Sequence, residues 1–225
     1  MTIVTAKQAL DALVSETWEA LVERDPYTAA SAGRKVTRFG RGDLAEAEAT
    51  ANAARARRDR LEQVDVSKLD RTDRLTAAFL RHWLDVEVDE PQRWWTNFGI
   101  APYSGGAFLS MVPSLLFTSI DLSDPTEAAR YVKLAGEFAD AVEVMRERVL
   151  AQAERGWRLP KPALANARRT LAGVAPSAAS AVLLAEDRAA SDETRAAVKA
   201  IVEDRLKPAL ARLLETVGAE YEAAA

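Results

Sequence analysis

The sequence has no cysteine and a single histidine among its 225 residues. The first absence excludes disulfides, thiol nucleophiles and thiolate metal sites, and it suits a reducing compartment. The second means that a Ser-His-Asp triad would have to use His82, and that a zinc site would need several carboxylate ligands. Glycine and proline are scarce, at 10 and 9 residues, while the strong helix formers Ala, Leu, Glu and Arg dominate. Alternating strand patterns are nearly absent. No apolar run is long enough to cross a bilayer, and the first residues lack the charged-then-apolar plan of a secretory signal. A cytoplasmic protein is therefore expected. The net charge of −4, with a pI near 5.3, supplies no field that would hold a nucleic-acid backbone. The densest basic run, Arg55, Arg57, Arg58 and Arg60, lies among Glu46, Glu48, Asp59 and Glu62 and reads as a solvated helix face of mixed charge.

What is present is a globular composition, 48% hydrophobic and 28% charged, in a length that suits one domain over 1–225. The expected fold is all-α: a multi-helix bundle of about six to eight helices with one long irregular aromatic crossover. Leu10, Leu13, Val14, Trp18, Leu21 and Val22 recur at helical spacing, and Asp25-Pro26 stops that helix. A short turn of helix over 27–32 follows, closed by Gly33. Asp43 with Glu46 reads as a capping box opening a helix that runs to about Val64. Asp70 with Asp73 opens the next, whose expected apolar stripe is Leu75, Ala78, Phe79, Trp83 and Val86, with Pro91 at its end. Ser123-Asp124-Pro125 is a strong start signal for a long helix that Gly156 closes. Lys161-Pro162 opens a helix ending by Gly173, and Pro176 opens a short one. The last helix starts after Ser191, and Pro208 inside its pattern predicts a kink.

Between Pro91 and Asp124 the helical rhythm is lost while the chain becomes more apolar. Six of the 15 aromatic residues fall between Trp94 and Phe117, and Gly99, Pro102, Gly105, Gly106 and Pro113 argue against one continuous helix. Such a long irregular connection is usually either functional or a misassigned element, and a short helix over about 107–117 would shorten it. Tyr103-Ser104-Gly105-Gly106 attracts notice because two glycines let backbone N–H groups approach a ligand beside a hydroxyl and flat aromatic walls. Trp94, Trp95, Phe98, Tyr103, Ser104, Gly105 and Gly106 are accordingly the candidates for a cleft that takes a peptide or a small amphipathic molecule. Alternatively, these aromatics plug the core where two helices separate.

Catalytic signals are otherwise weak. His82 stands on a helix without an evident acid or base partner. The acidic pairs Glu143 with Glu147 and Asp85 with Asp89 are of a kind that arises by chance among 34 acidic residues. No phosphate loop, dinucleotide fingerprint or EF-hand loop is present.

Three segments in this order carry a family likeness. They are Arg24-Asp25-Pro26-Tyr27-Thr28-Ala29-Ala30-Ser31-Ala32-Gly33, then Asn97-Phe98-Gly99-Ile100-Ala101-Pro102-Tyr103-Ser104-Gly105-Gly106, and then Arg155-Gly156-Trp157-Arg158-Leu159-Pro160. Over roughly 12–221 the chain resembles the amino-terminal half of the DUF885 family, bacterial helical proteins related to zinc-dependent peptidases. The resemblance places the family's zinc ligands and general base on an HExxH helix and a later glutamate in the carboxyl-terminal half, so none transfers to a position here. It implies that these helices form one wall of a substrate cleft, with zinc only if a partner half supplies the ligands. A catalytic-half protein or a second copy of the chain would be its partner. The alternatives are a standalone helical binding module and, third, metal-free chemistry built on the crossover.

Overall fold

A computed structural model describes residues 5–225, and every regular element among them is helical. The elements are α1 (Ala6–Arg24), α2 (Pro26–Ser31), α3 (Leu44–Glu62), α4 (Arg71–Val88), α5 (Glu90–Thr96), α6 (Gly105–Thr118), α7 (Pro125–Glu154), α8 (Lys161–Val182), α9 (Asp192–Ile201), α10 (Lys207–Thr216) and α11 (Ala219–Ala223). A 3-10 turn over Val66–Lys68 precedes α4, and a π-helical segment over Val202–Leu206 joins α9 to α10. Packing divides the chain into two compact units. One takes the residues up to Val22 with Leu44–Trp95, and the other takes Glu23–Asp43 with Thr96–Ala225.

The first unit is built on α1, α3 and α4. Leu10 and Leu13 from α1, Ala54 and Leu61 from α3, and Ala77, Leu80 and Leu84 from α4 share one core, closed below by Val64 and Leu69. Asp70 caps α4 by accepting the Asp73 N–H at 2.8 Å, the bond the sequence foretells. The buried stripe of α4 is a correction, however. The expected inner residues Leu75 and Phe79 are 64% and 67% exposed, and Ala77, Leu80 and Leu84 face the core instead. Both stripes have helical spacing; packing on α3 selects the one with the smaller residues, which lets the helices approach. On α1, likewise, Thr17 takes an inward place, its hydroxyl donating to the Leu13 carbonyl at 2.8 Å, and Trp18 turns outward. Three arginines of the basic run of α3 form ion pairs, while Arg55 donates to Asn52 at 2.7 Å. Arg57 and Arg60 clasp Glu16 at 3.0 and 2.7 Å, and Arg58 lies 3.4 Å from Asp85.

The second unit is organised around α7, whose Leu134, Ala135, Phe138, Ala139 and Val142 are buried. Asp124 starts it by accepting the Thr126 N–H at 2.8 Å. Gly156, with φ of 78°, ends it, and Trp157 N–H reaches the Gln152 carbonyl at 2.9 Å. The helix α6 packs on α8, and α7 packs on α9 and α10.

Pro176 parts from expectation. Pro113 lies inside α6 and Pro176 inside α8, so the helix opened by Lys161 continues past Gly173 to Val182. Leu171, Ala178, Ala179 and Val182 keep one buried face through Pro176, and that burial offsets the lost hydrogen bond. Pro208 is accommodated by the π segment, where Lys207 N–H bonds to the Val202 carbonyl five residues back. Such one-turn widenings are a recognised way to absorb a break in the helical ladder.

Candidate functional site

The stretch expected to be an irregular crossover is largely helical. Pro91 falls in the first turn of α5, where a missing N–H costs nothing, and α6 fills Gly105–Thr118. Only residues 97–104 and 119–124 are irregular, and the turns of the first segment are tight: Ala101 N–H to the Phe98 carbonyl at 2.9 Å, and Ser104 N–H to the Ala101 carbonyl at 3.1 Å. The buried Gln152 donates to the Asn97 carbonyl at 3.2 Å and anchors the start of this segment to α7.

The seven candidates divide between the units. In the first, Trp94 is buried and meets the half-buried Trp95 edge-on, with ring centroids 4.6 Å apart. In the second, Phe98 is half-buried, Ser104 is exposed and Tyr103 is 94% exposed. The Ser104 hydroxyl turns back to the Phe98 carbonyl at 3.2 Å. Gly105 and Gly106 are buried at the start of α6. A Cβ on Gly105 would lie 2.7 Å from the Gly99 carbonyl oxygen, and one on Gly106 would lie 2.8 Å from the Thr170 methyl. Both glycines therefore serve close packing, the first against the preceding turn and the second against α8.

Two crossover aromatics enter the core. Phe39 meets Phe108, Phe117 and Phe138 at centroid distances of 6.3, 6.5 and 5.2 Å, and Phe117 meets Tyr131 at 4.8 Å. Burial pushes the Tyr131 phenol up to about 12, and its hydroxyl donates to the Val182 carbonyl at 2.7 Å. The Arg188 guanidinium stands 5.4 Å over the Tyr131 ring and donates to the carbonyls of Phe117 and Ile120 at 2.9 and 2.6 Å. It thereby serves the open carbonyls at the end of α6.

A different signal in the same region was missed. Residues 94–120 contain no Asp, Glu, Lys or Arg, in a chain that is 28% charged. The outer side of α6 consequently shows Met111 (47% exposed) and Leu115 (37%) with Ser114 and Thr118. The hydroxyls of Ser110, Ser114 and Thr118 each donate at 2.7 Å to the carbonyl four residues back. Their protons are spent on the helix itself, which makes this face inexpensive to dehydrate.

At the carboxyl-terminal end of that face lies a pocket of about 340 Å³, lined by Leu115 and Ser119 of α6, by Arg34, Lys35 and Val36, and by Arg130 of α7. Local chemistry sets it. Gly33, with φ of 66°, ends α2 and turns the chain into an extended segment. Side chains one turn apart on α7 hold that segment. Arg130 donates to the Val36 carbonyl at 2.6 Å, Lys133 donates to that of Thr37 at 2.7 Å, and Glu137 accepts the Phe39 N–H at 2.8 Å. Glu127 takes both Arg130 and Lys35, Arg130 first and Lys35 second holding its carboxyl below the usual glutamate range.

Metal chemistry finds no footing in these residues. His82 is exposed on α4, and among the described residues no three His, Asp or Glu side chains converge as ligands. Glu143 is engaged by Arg146 at 2.6 Å and Arg212 at 3.1 Å. The described residues offer no three-ligand set that would hold zinc. No helix among the described residues is long and apolar enough to cross a membrane.

The fold and this region define an all-α protein with an uncharged, partly exposed helix beside a cationic pocket. The match to known families is direct: the chain belongs to DUF885, a family of bacterial proteins of unknown function, which it matches over residues 26–225. No curated protein and no solved structure matches it.

Proposed function

We propose that this chain is a recognition scaffold, the substrate-cleft half of a metallopeptidase-like protein, which acts with a catalytic half supplied in cis or in trans. The observation that carries the reading is the outward face of α4, where Leu75 and Phe79 stand in solvent and Phe79 lies 6.5 Å from the half-buried Trp83 ring. Val86, half-buried, continues the stripe. Large side chains at this spacing normally face a partner, and exposing them to water is unfavourable. Zinc ligands would come from the other half, since this one has no set that fits.

The test is association. The chain is mixed with a separately produced carboxyl-terminal half of a DUF885 protein that carries HExxH, and the mass is read by light scattering during size-exclusion chromatography. A one-to-one complex that Phe79→Asp abolishes supports the reading. A monodisperse monomer that ignores the catalytic half overturns it and leaves the second reading, a standalone binding module. That second reading is favoured by the pocket beside α6, where Lys35 and Arg130 stand with Leu115 and Val36.

A further inference from the structure

Three cavities in the second unit differ in chemistry. The largest of the three, about 600 Å³, lies at the starts of α7 and α9 and is lined by small and apolar residues with Ser123, Ser191 and Glu193. Another, about 510 Å³, runs between α8 and α10 past Pro176, Leu183, Leu210 and Leu214. Each carries a single charged lining residue, Glu193 in the first and, in the second, Lys207, which is paired with Glu203 at 2.6 Å. The pocket at the end of α6 gathers three cationic residues beside an apolar wall.

On one side it offers Leu115 and Val36, and the apolar wall continues along α6 to Met111, one turn before Leu115. On the other it offers cations. Lys35 and Arg130 share a single carboxylate, Glu127, so their two positive charges are only half neutralised, and Arg34 also lines the pocket. The Lys35 side chain is 55% exposed, leaving its ammonium within reach from solvent. Nothing on the intervening face of α6 carries charge, and the hydroxyls there are already bonded to their own helix. A partner on this face would be apolar for about a helical turn and anionic at one end.

We infer that the α6 face and its cationic pocket dock a peptide segment whose apolar side chains lie on Met111 and Leu115 and whose carboxylate enters beside Lys35 and Arg130. The volume lies within the lower range of small-ligand pockets, enough for one residue and its carboxylate. Charge-assisted hydrogen bonds from Lys and Arg favour a carboxylate there, and the apolar flank separates such a segment from a free anion. The inference rests on the reading of the chain as a recognition scaffold, but it needs no catalytic half.

The experiment therefore uses this chain alone. A fluorescein-labelled apolar hexapeptide with a free carboxyl terminus is titrated by anisotropy, beside its carboxamide form and a carboxamide form carrying one internal glutamate. Saturable binding of the free acid, weakened about tenfold or more in the carboxamide, is the expected result, and restoration by the internal glutamate assigns the site to carboxylates generally. Failure of that glutamate to restore binding assigns it to the terminal carboxylate. Leu115→Asp and Lys35→Glu each lower affinity about tenfold, with helical circular dichroism unchanged because both side chains are partly exposed. Met111→Ser, a milder change on the same face, lowers it less and guards against a misfolded Leu115 variant. Equal binding of acid and carboxamide, binding indifferent to these substitutions, or no saturable binding overturns the inference. So does acetate or inorganic phosphate competing as tightly as the peptide, since that would mark an anion site without an apolar arm. Loss of association with a catalytic half leaves all these readouts unaffected, so the two readings fail separately.

Discussion

The helices α4 and α6 both show apolar side chains to solvent, but on opposite backgrounds. Around Leu75 and Phe79, α4 carries Arg71, Asp73, Arg74, Arg81 and Asp85, and several of these reach across to other helices: Asp73 to Lys7 at 3.2 Å, Arg81 to Glu62 at 3.4 Å. The surface of α6 has no charge at all, and its hydroxyls close on their own backbone. Apolar residues set among charges form a confined patch with a polar rim, the plan of a protein–protein contact. A face empty of charge beside a concentrated cationic pocket separates the two chemistries, which suits an extended amphipathic ligand. The two faces are thus read as serving different partners.

The largest effect that would break this comparison concerns which side of α4 is inward. Leu80→Ala, in the core of the first unit, should cost about 2–5 kcal/mol by urea denaturation, whereas Phe79→Ala, one residue earlier, should change stability by about 0.5 kcal/mol or less. The reverse order would return Phe79 to the core and remove the exposed patch. Next in size is the start of α6. Gly105→Ala places a methyl against the Gly99 carbonyl oxygen and should destabilise by about 1–3 kcal/mol. Gly173→Ala, where nothing lies within 4 Å of the new Cβ, should stabilise α8 by about 0.5–1 kcal/mol through helix propensity. If Gly105→Ala is silent, the close approach of α6 to the turn before it is wrong.

The smallest effect is electrostatic and sharpens the contrast between backgrounds. Arg60, and then Arg57, holds Glu16 below its ordinary value of 4.5. The unfolded chain therefore takes up this proton at a higher pH than the folded one. The contribution of the pair is complete above the ordinary value and is lost as pH falls through the lower folded value. Solvent screening keeps it under about 1 kcal/mol. Hydrogen exchange, corrected for intrinsic rates, should show amides of α1 and α3 losing protection between neutral and acid pH, while those where α6 packs on α8 keep theirs. Equal losses in both places would mean that global unfolding, and not this clasp, responds to acid.

Much of the fold was legible because the signals that end helices act within a few residues. Asp70, Asp124 and Ser191 accept N–H groups two or three positions on, and Gly156 ends α7 with a positive φ. The candidate site was legible only as a region. Its aromatics separated into core residues such as Phe117 and an exposed Tyr103, a division that depends on Phe39 and Tyr131, distant in sequence. Lys35, Leu115 and Arg130 form one pocket through the folding of an extended segment along α7, and no local pattern joins them. The uncharged run 94–120 was the one sequence signal that pointed there.

Composition and spacing alone determined that the chain is helical, where most helices begin, and that these 225 residues hold no thiol and one imidazole, His82. Tertiary structure decided which stripe of α4 is buried, that Pro113 and Pro176 stay inside helices, that Pro208 is met by a π segment, and that a cationic pocket stands at the end of an uncharged helix. The reason is one of scale. Caps and propensities contribute about 1 kcal/mol each and act locally, whereas burying a single large side chain contributes about 1.5–3 kcal/mol and is settled only when two helices meet.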